Sequence, residues 1–152
     1  MKKAILGFAT ASLAISPAMA SPPTNLSVEN LSAGDLDRVF QENNEKIKFQ
    51  NKEKTDLKMQ KITFGENSAT GWHHHPGVTL VIVQSGSIEL WRSDCGKTTY
   101  GPGSPNGSAW VEGVLTHQAT SSSGAVVYVT YIVPDGQPAR IEEPVPFCAQ
   151  PH

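Results

Sequence analysis

Four of the five histidines in this 152-residue sequence lie between residues 72 and 117, and His73, His74 and His75 are consecutive. In an extended segment, successive side chains point to opposite faces. His73 and His75 would then share one face and His74 would take the other, at the rim of any pocket. His117 lies on a distant segment and is followed by the alternating small residues Ala119 and Ser121. Two imidazoles from one strand and a third from another make a facial set for one divalent metal ion. Iron, nickel, manganese, zinc and copper all accept neutral imidazole to different degrees, so donor type leaves the metal open. Two plainer readings stand beside this one. His73 and His75 could form a solvated histidine-rich turn, and His117 could be a buried histidine satisfied by a backbone carbonyl. His152 is terminal and suggests no role.

The two cysteines, Cys95 and Cys148, bear on the compartment. Lys2 and Lys3 precede an apolar run over residues 4–15, and Ala18-Met19-Ala20 supplies small residues for cleavage. This is the pattern of a signal peptide over residues 1–20, with an apolar run too short to span a bilayer. A periplasmic or secreted product starting at Ser21 is expected. In an oxidising compartment an even cysteine count favours a Cys95–Cys148 disulfide, with sulfur ligation or free thiols as the alternative. After cleavage, ten basic side chains face fourteen acidic ones, a net charge of −4. No basic face stands out, which argues against nucleic acid, and no second apolar stretch is long enough for a membrane.

The remaining 132 residues suit one domain. Residues 21–56 read as an arm with first strands, including one or two helical turns over 32–41 and an alternating segment around Ile47 and Phe49. From residue 57 the pattern is of short strands and Gly/Pro turns. Candidates are 57–64 with a bulge near Lys61, 79–84 and 87–92 around a Ser85-Gly86 hairpin, 98–100, 109–111, 117–121 and 125–133. Such a pattern points to an all-β sandwich or small barrel. Either Leu80 and Ile82 or Val81 and Val83 would face its core. Residues 134–152 form a C-terminal tail.

The segment around the histidines resembles the first motif of the cupin superfamily. Gly71-Trp72-His73-His74-His75-Pro76-Gly77 opens it and Gly86 closes it, at the family's spacing. The position of the family's glutamate ligand holds Thr79. A worn second motif is represented by Gly107 and His117, with Gly113 or Val114-Leu115 where a PxG is expected and Ser121 in place of asparagine. The resemblance covers roughly residues 57–133.

The resemblance implies a double-stranded β-helix, a single jelly-roll barrel, with a metal held by His73, His75 and His117. It makes Thr79, His74, Gln118, Tyr128 and Tyr131 candidates for the pocket, with Glu112 a further polar group. On one strand Tyr128 and Tyr131 cannot both face inward without a bulge. The partner implied is a small molecule, and a homodimer through exposed strands is common among such proteins. Three functions fit: a metal-dependent oxygenase, isomerase or lyase; a periplasmic ligand- or metal-binding protein without turnover; or a barrel that has lost its metal. Fold likeness does not choose among them.

Overall fold

The computed structural model describes residues 20–149. The expected signal peptide up to Met19 and residues 150–152 lie outside the described residues. The chain forms one large, strongly curled sheet whose centre is β10 (His117–Pro134), eighteen residues rich in β-branched and aromatic side chains. On one side β10 pairs antiparallel with β4 (Thr55–Ala69), from Thr120 opposite Ala69 to Pro134 opposite Thr55. At its first residue, His117 pairs with His73 of β5 (His73–His74). On the other side β10 pairs with β6 (Val78–Gly86) and then with β7 (Ile88–Arg92). Beyond these lie β9 (Ala109–Glu112) on β6 and β8 (Lys97–Tyr100) on β7. The strand β1 (Thr24–Leu36) flanks β4, and β11 (Ile141–Glu142) flanks β5. A separate hairpin joins β2 (Gln41–Asn43) to β3 (Lys48–Gln50).

Four local expectations are corrected. Residues 32–36 are strand rather than helix, because β1 stays paired with β4 as far as Leu36 opposite Thr55. The extra residue expected near Lys61 sits in the partner strand instead, where the β1–β4 register shifts between Asn30 and Ser32. Ser85-Gly86 is not a hairpin. β6 and β7 never pair with each other; both run along β10, which is long enough to serve the two in succession. Gly86 marks the kink between them, with φ of 78° and a Cβ position that would run into the Gly124 carbonyl. The two segments 117–121 and 125–133 are one continuous strand.

Alternation along the strands decides the inside. Val81 and Val83 face inward, while Leu80 and Ile82 lie exposed on the outer face with Val78. From β10, Ala125, Val127, Val129, Tyr131 and Val133 join Ile62, Phe64, Ile88, Leu90 and Trp110 in a single core. Full burial of each such aliphatic side chain contributes about 1.5–3 kcal/mol relative to exposure. Cys95 and Cys148 are disulfide-bonded, fastening the tail to the turn after β7. Among the described residues the one helix is the single turn Phe147–Ala149, and no helix is long and apolar enough to cross a membrane.

Candidate metal centre

His73, His75 and His117 come together because β5 runs beside the start of β10. The pairing of His73 with His117 sets two rings 4.5 Å apart, and His75, two residues on, adds a third at 5.0 and 5.1 Å from them. All three side chains are buried, and their ligand atoms lie within 4.8 Å of one another. His74 points the other way and meets Glu143 at 2.6 Å. Gly71 makes the approach to this segment possible. Its φ of 74° suits glycine, and a Cβ there would collide with the Ser21 carbonyl.

Each imidazole is oriented in the same way. Nδ1 of His73 lies 2.8 Å from the Gly71 carbonyl, Nδ1 of His75 lies 2.8 Å from that of Ala139, and Nδ1 of His117 lies 2.7 Å from that of Leu115. A carbonyl only accepts, so every Nδ1 carries the proton and donates it. Every Nε2 is thereby left with a lone pair facing the common centre, the arrangement that outer partners impose on metal-binding histidines. Nε2 of His117 has no hydrogen-bond partner although it is buried. A buried group is rarely left so, and a metal ion at the centre would satisfy it. The donor set fits a divalent ion.

Glu112 enters the same space from β9. Its Oε2 lies 3.0 Å from Nε2 of His75 and 3.3 Å from Nε2 of His117, while Oε1 accepts the indole N–H of Trp110 at 2.7 Å. Burial alone would raise this carboxyl, but the His117 and His75 imidazoles beside it override burial in the metal-free site and hold Glu112 well below the usual carboxylate range. For His117 burial works downward, yet the same carboxylate raises it overall. His73 is lowered to about 3, first by burial and then by Arg140 and His117. Tyr131, whose ring lies 5.5 Å from that of His75, is pushed up to about 12 by burial and by Glu112.

A cavity of about 40 Å³ adjoins the imidazoles inside the barrel, walled by Ile62, Phe64, Val81, Val127 and Val129 with Thr70, Tyr131 and Arg140 as polar edges. A water needs roughly 10–15 Å³ of such space, so the room is for about three or four. A second, open cleft of about 200 Å³ reaches His117 and Glu112 from outside, past Leu90, Arg92 and Leu115.

Of the pocket candidates, Tyr131 lines the inner cavity. Thr79 is fully buried with its Oγ1 unpartnered, but it does not line either space. Tyr128, Gln118 and His74 line neither space; strand alternation turns each away from the inward-facing neighbours Val127, His117 and His73, for His74 as expected. Glu112, expected only as a polar group of the pocket, lines both spaces and approaches two of the imidazoles; it sits in a four-residue strand, two residues after the inward Trp110. Two contributors were not legible as site residues, Ala139 and Arg140, which belong to the tail.

No family model matches the sequence, and no curated protein matches it. Among solved structures, the chain is similar to a cupin superfamily protein from Desulfitobacterium hafniense, at 8% identity and a TM-score of 0.51, over 76% of this chain and 84% of that one. It is also similar to a cupin-like protein from Thermotoga maritima, at 16% identity and a TM-score of 0.48, over 59% and 65% of the two chains. A structure of oxalate oxidase with the substrate analogue glycolate follows at 16% identity and a TM-score of 0.43, over 56% of this chain and 45% of that one. Likeness at these identities concerns fold alone, and the first structure carries it. The chain has the cupin fold, a jelly-roll β-barrel with a three-histidine cluster that could bind a metal ion.

Proposed function

We propose that this chain is an exported barrel protein that holds one divalent metal ion through His73, His75 and His117 and binds a small oxygen-bearing molecule beside it. One observation carries the reading: three Nδ1 protons are committed to backbone carbonyls, which leaves three buried Nε2 lone pairs aimed at a common centre. When bound, such an ion supplies Lewis acidity toward an oxygen ligand. The chain's own residues then set what can reach it. The open cleft offers Arg92 to an anionic group, and the apolar walls of the inner cavity limit what enters to a few atoms. Export is supported by the N-terminal sequence pattern and by the disulfide, which belongs to an oxidising compartment.

A second reading is turnover of that molecule, as an oxygenase, isomerase or lyase. The small cavity favours it, because its walls would hold a bound molecule of a few atoms directly beside the imidazoles. Elemental analysis of the tag-free protein, purified from the periplasm or medium, tests the metal. Near-stoichiometric iron, nickel, manganese, zinc or copper is expected. A protein that carries no metal and takes none up on titration would defeat the proposal.

A further inference from the structure

We propose that Glu112 is the fourth protein ligand of this metal, so that a carboxylate lost from one strand is supplied by the next. The inference rests on the three-histidine reading above and adds to it a donor atom, a charge and a denticity.

Thr79 occupies the position at which the first motif would place a carboxylate, and its hydroxyl is buried without a partner. Directly opposite Thr79 in the β6–β9 register stands Glu112. Directly opposed residues of an antiparallel pair project to the same face, with Cβ atoms about 4.5–5.5 Å apart. Glu112 therefore points to the same side of the sheet from one strand further out, and its longer side chain spans the difference. Its Oε2 reaches 3.0 Å from His75 and 3.3 Å from His117.

What occupies the space between these atoms follows from their chemistry. The Nδ1–H groups are committed to carbonyls, so both Nε2 atoms present lone pairs, and an ionised carboxylate has only lone pairs to offer in return. Acceptors converging at such distances in a buried site need a positive charge between them. A single proton serves one histidine and leaves the other, and Nε2 of His117 is in fact without a hydrogen bond. A metal ion serves the three imidazoles and Oε2 together. The other oxygen is already engaged, since Oε1 accepts the Trp110 N–H at 2.7 Å, which fixes Glu112 as a one-oxygen ligand. With a carboxylate bound, the site's net charge falls from two to one, and the donor set moves toward the harder ions such as manganese and iron.

The test is calorimetric titration of the metal-stripped full mature chain with Zn²⁺ and with Mn²⁺, for the unmutated protein, His75→Ala and Glu112→Gln. Loss of an outer partner of a ligand weakens metal binding by roughly 10–100-fold, so loss of a ligand should exceed about 100-fold. The expected result is stoichiometric binding by the unmutated protein, none by His75→Ala, and binding weakened beyond about 100-fold in Glu112→Gln with an unchanged circular dichroism spectrum. Full affinity in Glu112→Gln, or a loss of about 100-fold or less, would make Glu112 an outer partner and overturn the inference while the three-histidine reading stood. No binding by the unmutated protein would instead defeat that reading. Should Glu112→Gln fail to fold, a crystal structure of the zinc-loaded unmutated protein decides. Oε2 is expected at about 2.0–2.2 Å from the ion, and a water in that place would refute the assignment.

Discussion

His75 and Ala139 are joined across sixty-four residues of sequence by one hydrogen bond, Nδ1 to carbonyl oxygen, at 2.8 Å. That bond makes the C-terminal segment part of the candidate metal centre. The segment is anchored again where β11 pairs with β5, where Glu143 meets His74, and at its end by the Cys95–Cys148 bridge. The disulfide therefore fastens the strap that fixes the tautomer of His75, one of the three clustered imidazoles.

Opening the disulfide should weaken metal binding without abolishing it. Cys148→Ser frees the end of the strap but leaves β11 paired, so Ala139 loses only part of its restraint. We expect metal affinity to fall by about tenfold, at the lower end of what an outer partner contributes. Stability should fall by about 2–4 kcal/mol as the unfolded chain regains its freedom. Titration calorimetry and urea denaturation read the two effects. Unchanged affinity with lowered stability would show that the strap holds without the bridge.

Much of this was legible beforehand, and for physical reasons. His73 and His75 declare themselves because period-two alternation puts them on one face whatever the register. Tyr131 and Tyr128 could be set against each other by the same rule, but which of them faces inward depends on the register of β10 against β6. Val81 against Leu80 is the same ambiguity in a run that is apolar on both faces. The Ser85-Gly86 signal was real as a change of direction; a two-residue window could not reveal that β10 continues past it. Glu112 was legible as a polar group of the pocket but not as a neighbour of His75 and His117, and Ala139 was not legible at all, because each acts through a partner remote in sequence.

Trp110 should matter to the centre through its N–H rather than its bulk. The indole stacks on Tyr100 at 4.6 Å and donates to Glu112 Oε1 at 2.7 Å. Trp110→Phe keeps an aromatic ring in the core and removes the donor, leaving a buried carboxylate oxygen unpaired. A hydrogen bond to a charged group contributes about 1.5–3 kcal/mol, so stability of the metal-free protein should drop by that order. Metal affinity should drop by roughly tenfold as Glu112 loses its orientation. Trp110→Phe with unaltered metal affinity would separate the indole from the site.

Acid should destabilise the metal-free protein through His73. Its folded value is about 3 against an ordinary 6.5, so below pH 6.5 the unfolded chain binds a proton that the folded protein refuses. Stability is then lost as pH falls from 6.5, at up to about 1.4 kcal/mol per pH unit, until the folded imidazole itself titrates near 3. Glu112 acts in the same direction but only below its ordinary 4.5, where the unfolded carboxyl begins to take up protons while the folded one stays ionised. His117 is raised, so its contribution is complete below 6.5 and is lost only as pH rises above it. Between pH 6.5 and 4.5, therefore, neither offsets His73. Urea denaturation of the metal-stripped protein across that range should show a steep acid decline that His73→Gln flattens by roughly 2–3 kcal/mol over the two units. Parallel curves for the two proteins would mean that His73 accepts a proton in the folded barrel as readily as in the unfolded chain, and that the third imidazole is not held neutral for a metal.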